Sequence, residues 1–237
     1  MNNQRLISSV LCLLTALRLT NGYNIGATNS ISSIDSSGIP GNGSLEALPE
    51  VHGSKFFYFG FGSNMLAQRI HIQNPTARRV GAALLADYRL DFAREGPRWR
   101  GAVATIVPTP GEHTWGALWE IDVSNLDDID NQEGVHLGIY EALTVYVKLR
   151  DEETATPARA YMLTKAHQPE TNLYHMTPDE VPQERQPSKT YLQCLVKGAV
   201  ESSIPEAYVI RLRSIKHNGR VASNLEERLE LQDVILP

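Results

Sequence analysis

The sequence predicts an α+β domain with a largely antiparallel sheet that can close into a barrel. An aromatic run with strong strand propensity, Phe56–Phe61, is followed by β-rich runs separated by turns. After Pro187 the pattern becomes helical, and no internal repeat is visible. Strands grouped first and helices grouped last are typical of one α+β domain. The β-rich runs span residues 77–93, 101–107, 114–121, 139–149 and 155–163.

Turn and cap signals divide these elements. Gly60 and Gly62 end the first strand, and a helix is predicted over 65–72. Thr109–Glu112 is predicted to be a turn between two strands. Three more helices are predicted over residues 124–132, 188–201 and 205–215, with Ser124 as an N-cap and Pro205 at a first helical position.

The N-terminal segment has the pattern of a targeting sequence. Arg5 precedes an apolar run over residues 6–17, which is too short to span a bilayer comfortably. We expect residues 1–22 to be a signal peptide cleaved before Tyr23 and the protein to be secreted, with an uncleaved signal anchor or a poorly processed leader as the alternatives. Residues 23–54 are rich in Ser, Gly and Asn and predict a disordered tail, in which Asn42 fits a glycosylation pattern. The folded domain is predicted over 55–222, followed by a C-terminal tail over 223–237.

Composition excludes some classes of partner. Lys and Arg number 22 and Asp and Glu number 27, so the formal charge is 22 − 27 = −5, without a basic run. This balance argues against nucleic acid as the main partner. The two cysteines are Cys12, inside the leader, and Cys194, so no disulfide framework is expected and Cys194 is predicted to be a buried, inert thiol.

The glycine loop FGFGSNM is a candidate binding site. Glycines permit positive φ and close approach of a ligand, and the following helix start can present backbone N–H groups to an anion or oxyanion. The loop is not a dinucleotide fingerprint, which needs glycine where Met65 stands, and it is not a P-loop, because Gly-Lys-Ser/Thr is absent. A nucleophile elbow is also excluded, because it needs glycines two positions either side of Ser63, where Phe61 and Met65 stand. On spacing alone, a tight turn capped by Ser63 or Asn64 remains an equal alternative.

The acidic segment that ends in Glu133 is the second candidate. A calcium loop starting at Asp128 fails, because Glu133 and Ile139 replace the required glycine and glutamate. Asp127, Asp128 and Asp130 are predicted to form a solvated helix face. Glu133 lies at the predicted helix end, where the helix dipole raises a carboxyl pKa and favours a general base. The scattered histidines give no metal site.

Seven separated motifs resemble the γ-glutamylcyclotransferase family from about Tyr58 to about Val221. They are FGSNM (61–65), RIHIQNPTA (69–77), YRLDF (88–92), ATIVPTPG (104–111), WGALW (115–119), NQEGV (131–135) and GIY (138–140). The resemblance implies a small mixed, largely antiparallel β-barrel with flanking helices. It also implies cyclisation of γ-glutamyl amino acids or dipeptides to 5-oxoproline, with release of a free amino acid and without a cofactor or metal.

The resemblance also assigns site residues. It implies that Glu133 is the catalytic base and that substrate is bound by Tyr58, Phe59, Gly60, Phe61, Gly62, Ser63, Asn64, Tyr140, Tyr161 and Tyr191. Phe61 departs from the family, which usually has tyrosine there, and the missing hydroxyl removes a hydrogen bond worth about 0.5–1.5 kcal/mol. The leader is a second departure, because the family is largely cytosolic.

Two alternatives to this function remain open. One is a secreted, catalytically weak binding module that retains the pocket, which Phe61 favours and Glu133 disfavours. The other is a cyclotransferase specific for glutathione or γ-glutamylamines, which Asn64 disfavours. The expected partner is a small γ-glutamyl substrate, with no nucleic acid and no membrane after processing, and a homodimer is left open.

Overall fold

The computed structural model describes residues 48–237. The strands are β1 (Val51–His52), β2 (Lys55–Gly60), β3 (Arg78–Gly96), β4 (Gly101–Asp122), β5 (Tyr140–Leu149) and β6 (Ala155–Leu163). The helices are α1 (Ala67–Ile70), α2 (Leu126–Glu133), α3 (Lys189–Glu201), α4 (Glu206–Arg213) and α5 (Ser223–Arg228). The predicted leader and the tail as far as residue 47, with Asn42, lie outside the described residues.

Five strands close into a mixed barrel in the order β2-β4-β3-β5-β6. Four of the contacts around the barrel are antiparallel, and β6 returns to β2 in parallel, where Tyr58 faces Arg159. The short strand β1 adds to β2. The predicted fold class, a mixed and largely antiparallel barrel with flanking helices, is confirmed.

The β3–β4 hairpin is longer than predicted. The runs 101–107 and 114–121 were expected to be separate strands, but both belong to β4, which pairs with β3 throughout. The register shifts at Asp87, which has a φ of 61° and faces the extra residues 109–112 of β4. The Gly111 N–H donates to Asp87 Oδ1 at 2.9 Å. The predicted turn is therefore a bulge within one strand.

Buried aromatic side chains on both faces of the sheet fix β2. Phe56, Phe59 and Trp119 are fully buried, as the aromatic run of β2 predicts. Burying each such ring contributes about 1.5–3 kcal/mol. Helix α3 packs closely on the chain after β2, because a Cβ at Gly198 would lie 2.5 Å from the Leu66 nitrogen. This close approach fixes the segment that carries the glycine loop.

Three local predictions are wrong. The helix expected over 65–72 is a 3₁₀ turn, Ser63–Met65, followed by the four-residue α1. The N-cap of α2 is Asn125 instead of Ser124, because residues 123–125 form their own 3₁₀ turn. Pro205 is the N-cap of α4 and not its first residue. Helix α3 begins one residue later than predicted, at Lys189, with Ser188 as its N-cap accepting from the Tyr191 N–H.

The folded unit extends beyond residues 55–222 at both ends. Glu50 is buried and forms an ion pair with Arg159. Leu229 and Leu231 are fully buried, and the Gln193 side chain donates to the Leu231 carbonyl at 3.1 Å. Residues 223–237 are therefore packed against α3 and are not a loose tail. Among residues 48–237, no helix is long and apolar enough to cross a membrane.

Candidate active site

A small cavity lies where β2 ends against the end of α2. We call it the chamber, and its volume is about 50 Å³. Its walls contain every predicted site residue except Phe59 and Gly60. The lining residues are Tyr58, Phe61, Gly62, Ser63, Asn64, Ala104, Glu133, Tyr140, Tyr161 and Tyr191.

Phe59 and Gly60 support the chamber from outside. Phe59 is fully buried, and its ring lies 6.0 Å from that of Phe61. The Gly60 carbonyl oxygen lies close to Gly116 of β4, where an added Cβ would be only 2.7 Å from that oxygen. These two residues therefore fix the strand that delivers the loop, and neither lines the chamber.

Gly62 is required for close packing and not for a left-handed backbone. Its φ is −104° and its ψ is −141°, and Gly60 also lacks a positive φ. A Cβ at Gly62 would lie 3.1 Å from the Tyr191 hydroxyl and 3.3 Å from the Ala104 Cβ. The expectation of positive φ at these glycines is wrong, whereas close approach of other groups to the chain holds.

The 3₁₀ turn leaves backbone donors at the chamber. The Met65 and Leu66 N–H groups return to the Gly62 and Ser63 carbonyls at 3.0 and 3.2 Å. The earlier amides of the turn have no helical acceptor, as at any helix start. Asn64 is buried, and its Nδ2 donates to the Tyr58 hydroxyl at 3.0 Å. Its Oδ1 has no partner within residues 48–237, so a chamber residue retains a buried acceptor.

Glu133 is the last residue of α2. Gly134 follows in the left-handed conformation, with φ 69° and ψ 36°, which ends the helix and turns the chain away. Burial raises the Glu133 pKa to about 7, Asp130 adds to the rise, and Arg69 opposes it. The sequence predicted a raised Glu133 pKa, but the largest cause of the rise is burial and not the helix end. Such a carboxyl is poised between acid and base near neutral pH.

Two tyrosines are joined through a residue that the sequence did not indicate. The Tyr140 hydroxyl donates to the Ala104 carbonyl at 3.0 Å, and the Ala104 N–H donates to the Tyr191 hydroxyl at 3.1 Å. Burial raises the pKa of both tyrosines, which keeps them neutral. Ala104 acts through its backbone, so its only sequence signal was its place in the ATIVPTPG motif.

A charged network holds the turn of α2 that precedes Glu133. Arg159 Nη2 lies 2.7 Å from Asp130 Oδ2, and Arg159 Nη1 lies 3.3 Å from Glu50 Oε1. The Tyr161 hydroxyl also donates to Asp130. Asp130 was predicted to be solvated and is instead paired, while Asp127 and Asp128 are exposed as predicted. Partners so far apart in the chain give no local sequence signal.

Cys194 lies under the loop. It is a free, buried thiol, with Sγ 3.6 Å from the Ser63 carbonyl oxygen. Burial raises its pKa to about 12, which keeps it protonated and unreactive. In the described part of the chain, no three His, Cys, Asp or Glu side chains are grouped to hold a metal ion.

Comparison with known proteins places this geometry in a family. The chain is 34% identical over 182 residues to a mouse γ-glutamylcyclotransferase, covering 74% of this chain and 88% of the mouse protein. A bovine γ-glutamylcyclotransferase is also 34% identical, over 78% of this chain and 94% of the relative. This chain belongs to the γ-glutamylcyclotransferase family.

Structural comparison gives the same family. A solved γ-glutamyl cyclotransferase superposes with a TM-score of 0.64 at 31% identity, covering 74% of this chain and 98% of that structure. A model of the AIG2-like family matches residues 113–212. The matched segment includes Glu133, Tyr140, Tyr161 and Tyr191 of the chamber.

Proposed function

We propose that this chain converts γ-glutamyl amino acids or dipeptides to 5-oxoproline and a free amino acid, with Glu133 as the general base. The observation that carries the proposal is the position of Glu133. Its carboxyl, with a pKa raised to about 7, shares a chamber of about 50 Å³ with the amides of the 3₁₀ turn.

The reaction begins with removal of a proton. At neutral pH the α-amine of the substrate is mostly ammonium and has no lone pair for attack. The Glu133 carboxylate accepts one proton, and the amine nitrogen then attacks the γ-carbonyl carbon to form the five-membered ring. Holding the chain folded makes this an intramolecular reaction between aligned atoms. The ring nitrogen loses its second proton as the γ-amide bond breaks, and both protons end on the departing amine, one of them delivered by Glu133, so the lactam is neutral and the free amino acid leaves as an ammonium.

The loop stabilises the charge that develops on the carbonyl oxygen. The amides at Gly62–Asn64 lie outside the hydrogen bonds of the 3₁₀ turn and serve an oxyanion or the substrate carboxylate. These donors are backbone groups, so the replacement of the usual tyrosine by Phe61 leaves them intact. The neutral tyrosines enclose the chamber and limit water, which strengthens these electrostatic contacts.

The direct test is 5-oxoproline release from a panel of γ-glutamyl dipeptides. The variant Glu133→Gln keeps the shape and removes the base, so kcat should fall by about 10²–10⁴-fold. Glu141→Gln is a matched control, because Glu141 is exposed at the start of β5 and does not line the chamber. Parent activity in Glu133→Gln would show that Glu133 is not the base.

The same panel separates the alternatives. Binding without 5-oxoproline would identify a pocket that has lost turnover. Release confined to glutathione or to γ-glutamylamines would identify a narrower cyclotransferase. We expect release from several γ-glutamyl dipeptides, since the chamber encloses only a small part of such a substrate.

We also propose that the protein is secreted after cleavage near Gly22. The support is the charged start and short apolar run of residues 1–22. Mass spectrometry of the protein expressed in a eukaryotic host should find Tyr23 at the mature N-terminus in the medium. Retention of residues 1–22 on cell-associated protein would contradict this proposal.

A further inference from the structure

The chamber opens into a larger groove beside Glu133. We call it the outer groove, and its volume is about 630 Å³. Ser63, Glu133, Tyr140 and Tyr191 line both spaces, so the two are continuous. A substrate with its γ-glutamyl head in the chamber must therefore place its leaving residue in the outer groove.

The outer groove carries unpaired positive charge. Arg69, Arg94 and Arg98 line it, and none of them has a carboxylate partner within 4.0 Å among residues 48–237. Arg69 Nη1 donates only to the Gln73 side chain, at 3.3 Å. Asp128 is the one acidic side chain besides Glu133 on these described walls, so cations outnumber anions three to two.

The two arginines of the β3–β4 hairpin are held next to the chamber. Arg94 and Arg98 flank Gly96, whose carbonyl accepts from the Trp99 N–H at 2.9 Å. Trp99 is buried against Tyr191, with ring centroids 4.8 Å apart. Burial raises the pKa of the Tyr140 hydroxyl, and the nearby Arg94 guanidinium opposes that rise. The hairpin tip that carries Arg94 and Arg98 therefore packs, through Trp99, against Tyr191 of the chamber wall.

We propose that Arg94 and Arg98 bind the carboxylates of the leaving residue, so that the enzyme prefers γ-glutamyl substrates with an acidic leaving amino acid. This inference rests on the proposed function. A leaving residue at the end of a dipeptide carries one carboxylate, and an acidic side chain adds a second. Two guanidiniums match two carboxylates, because each planar guanidinium can donate two parallel hydrogen bonds to one carboxylate. A basic leaving side chain would instead meet like charge.

The test compares γ-glutamyl-glutamate with γ-glutamyl-glutamine, which has the same size without the second charge. The parent should favour the acidic dipeptide about ten-fold in kcat/KM at low salt, and γ-glutamyl-lysine should be the poorest substrate. In the double variant Arg94→Gln/Arg98→Gln, γ-glutamyl-glutamate and γ-glutamyl-glutamine should have nearly equal kcat/KM. Arg78→Gln is the control, because Arg78 is 77% exposed and lies outside the groove, and it should keep the parent preference.

The outcomes separate this inference from the proposed function. No 5-oxoproline from any dipeptide would overturn the function. Release from all three without charge preference, or an undiminished preference in the double variant, would overturn only the inference. A binding measurement gives the preference without turnover. Titration of Glu133→Gln, followed by intrinsic tryptophan fluorescence to which Trp99 of the outer groove contributes, should show tighter binding of the acidic dipeptide. Equal binding of the two dipeptides would contradict the inference.

Discussion

Replacing Glu133 by glutamine should stabilise the protein at alkaline pH while it removes activity. Burial raises the Glu133 pKa from its ordinary 4.5 to about 7, so the folded state prefers the protonated carboxyl. Between these values the folded state binds more protons than the unfolded state, and stability therefore falls as pH rises from about 4.5 to about 7. At 1.36 kcal/mol for each tenfold change in proton affinity, the full cost is about 3 kcal/mol. The Glu133 side chain is only partly buried, and solvent screening reduces this cost to about 2 kcal/mol.

Glutamine has the same shape without the ionisation, so the variant avoids this cost. Thermal unfolding should show an increase in Tm of about 4–8 °C at pH 8 and no increase at pH 4.5. Glu141→Gln, on the exposed side of β5, should change Tm little at either pH. An increase of equal size at both pH values, or none at pH 8, would refute the argument that the buried carboxyl costs stability when ionised.

Three further substitutions test the chamber. Asp130→Asn removes a charge that raises the Glu133 pKa, so the pH–rate profile of the variant should shift to lower pH. The repulsion between two unit charges about 6 Å apart in water is roughly 0.7 kcal/mol. The variant should therefore retain about three-fold more of its plateau activity at pH 6 than the parent. An unshifted profile would count against the coupling. Gly62→Ala places a methyl 3.1 Å from the Tyr191 hydroxyl, so Tm should fall by about 2–12 °C and kcat/KM should fall about ten-fold. Adding Tyr191→Phe, which removes that hydroxyl, should restore part of both. Phe61→Tyr should raise kcat/KM about two- to ten-fold in the dipeptide assay, and no gain would show that the hydroxyl has no partner.

Local signals in the sequence predicted the parts of the fold that local chemistry determines. The aromatic run predicted β2, the β-rich runs predicted β3, β5 and β6, and the helical pattern after Pro187 predicted α3. The strand β4 was predicted as two pieces, because its Pro and Gly residues signal a turn. Pairing with the long β3 converts that turn into a bulge opposite Asp87, which no single-strand pattern reveals.

The candidate site was predicted in part. Glu133 and the loop from Phe61 to Asn64 were identified by motif, and the structure brings them into one chamber. Ala104 was missed because its hydrogen bonds come from backbone atoms. The pairing of Arg159 with Glu50 was missed because it joins segments 109 residues apart, one of them assigned to a disordered tail. Contacts of this kind form only when the barrel closes, so no residue spacing in the sequence predicts them.

The pH dependence of kcat/KM for 5-oxoproline release tests the central claim most directly. Glu133 must be ionised in the free enzyme to accept a proton, so kcat/KM should rise with pH and reach half its plateau near pH 7, where the Glu133 pKa lies. An acid limb with its midpoint near 4.5, the ordinary value for a glutamate, would contradict a buried base in the chamber.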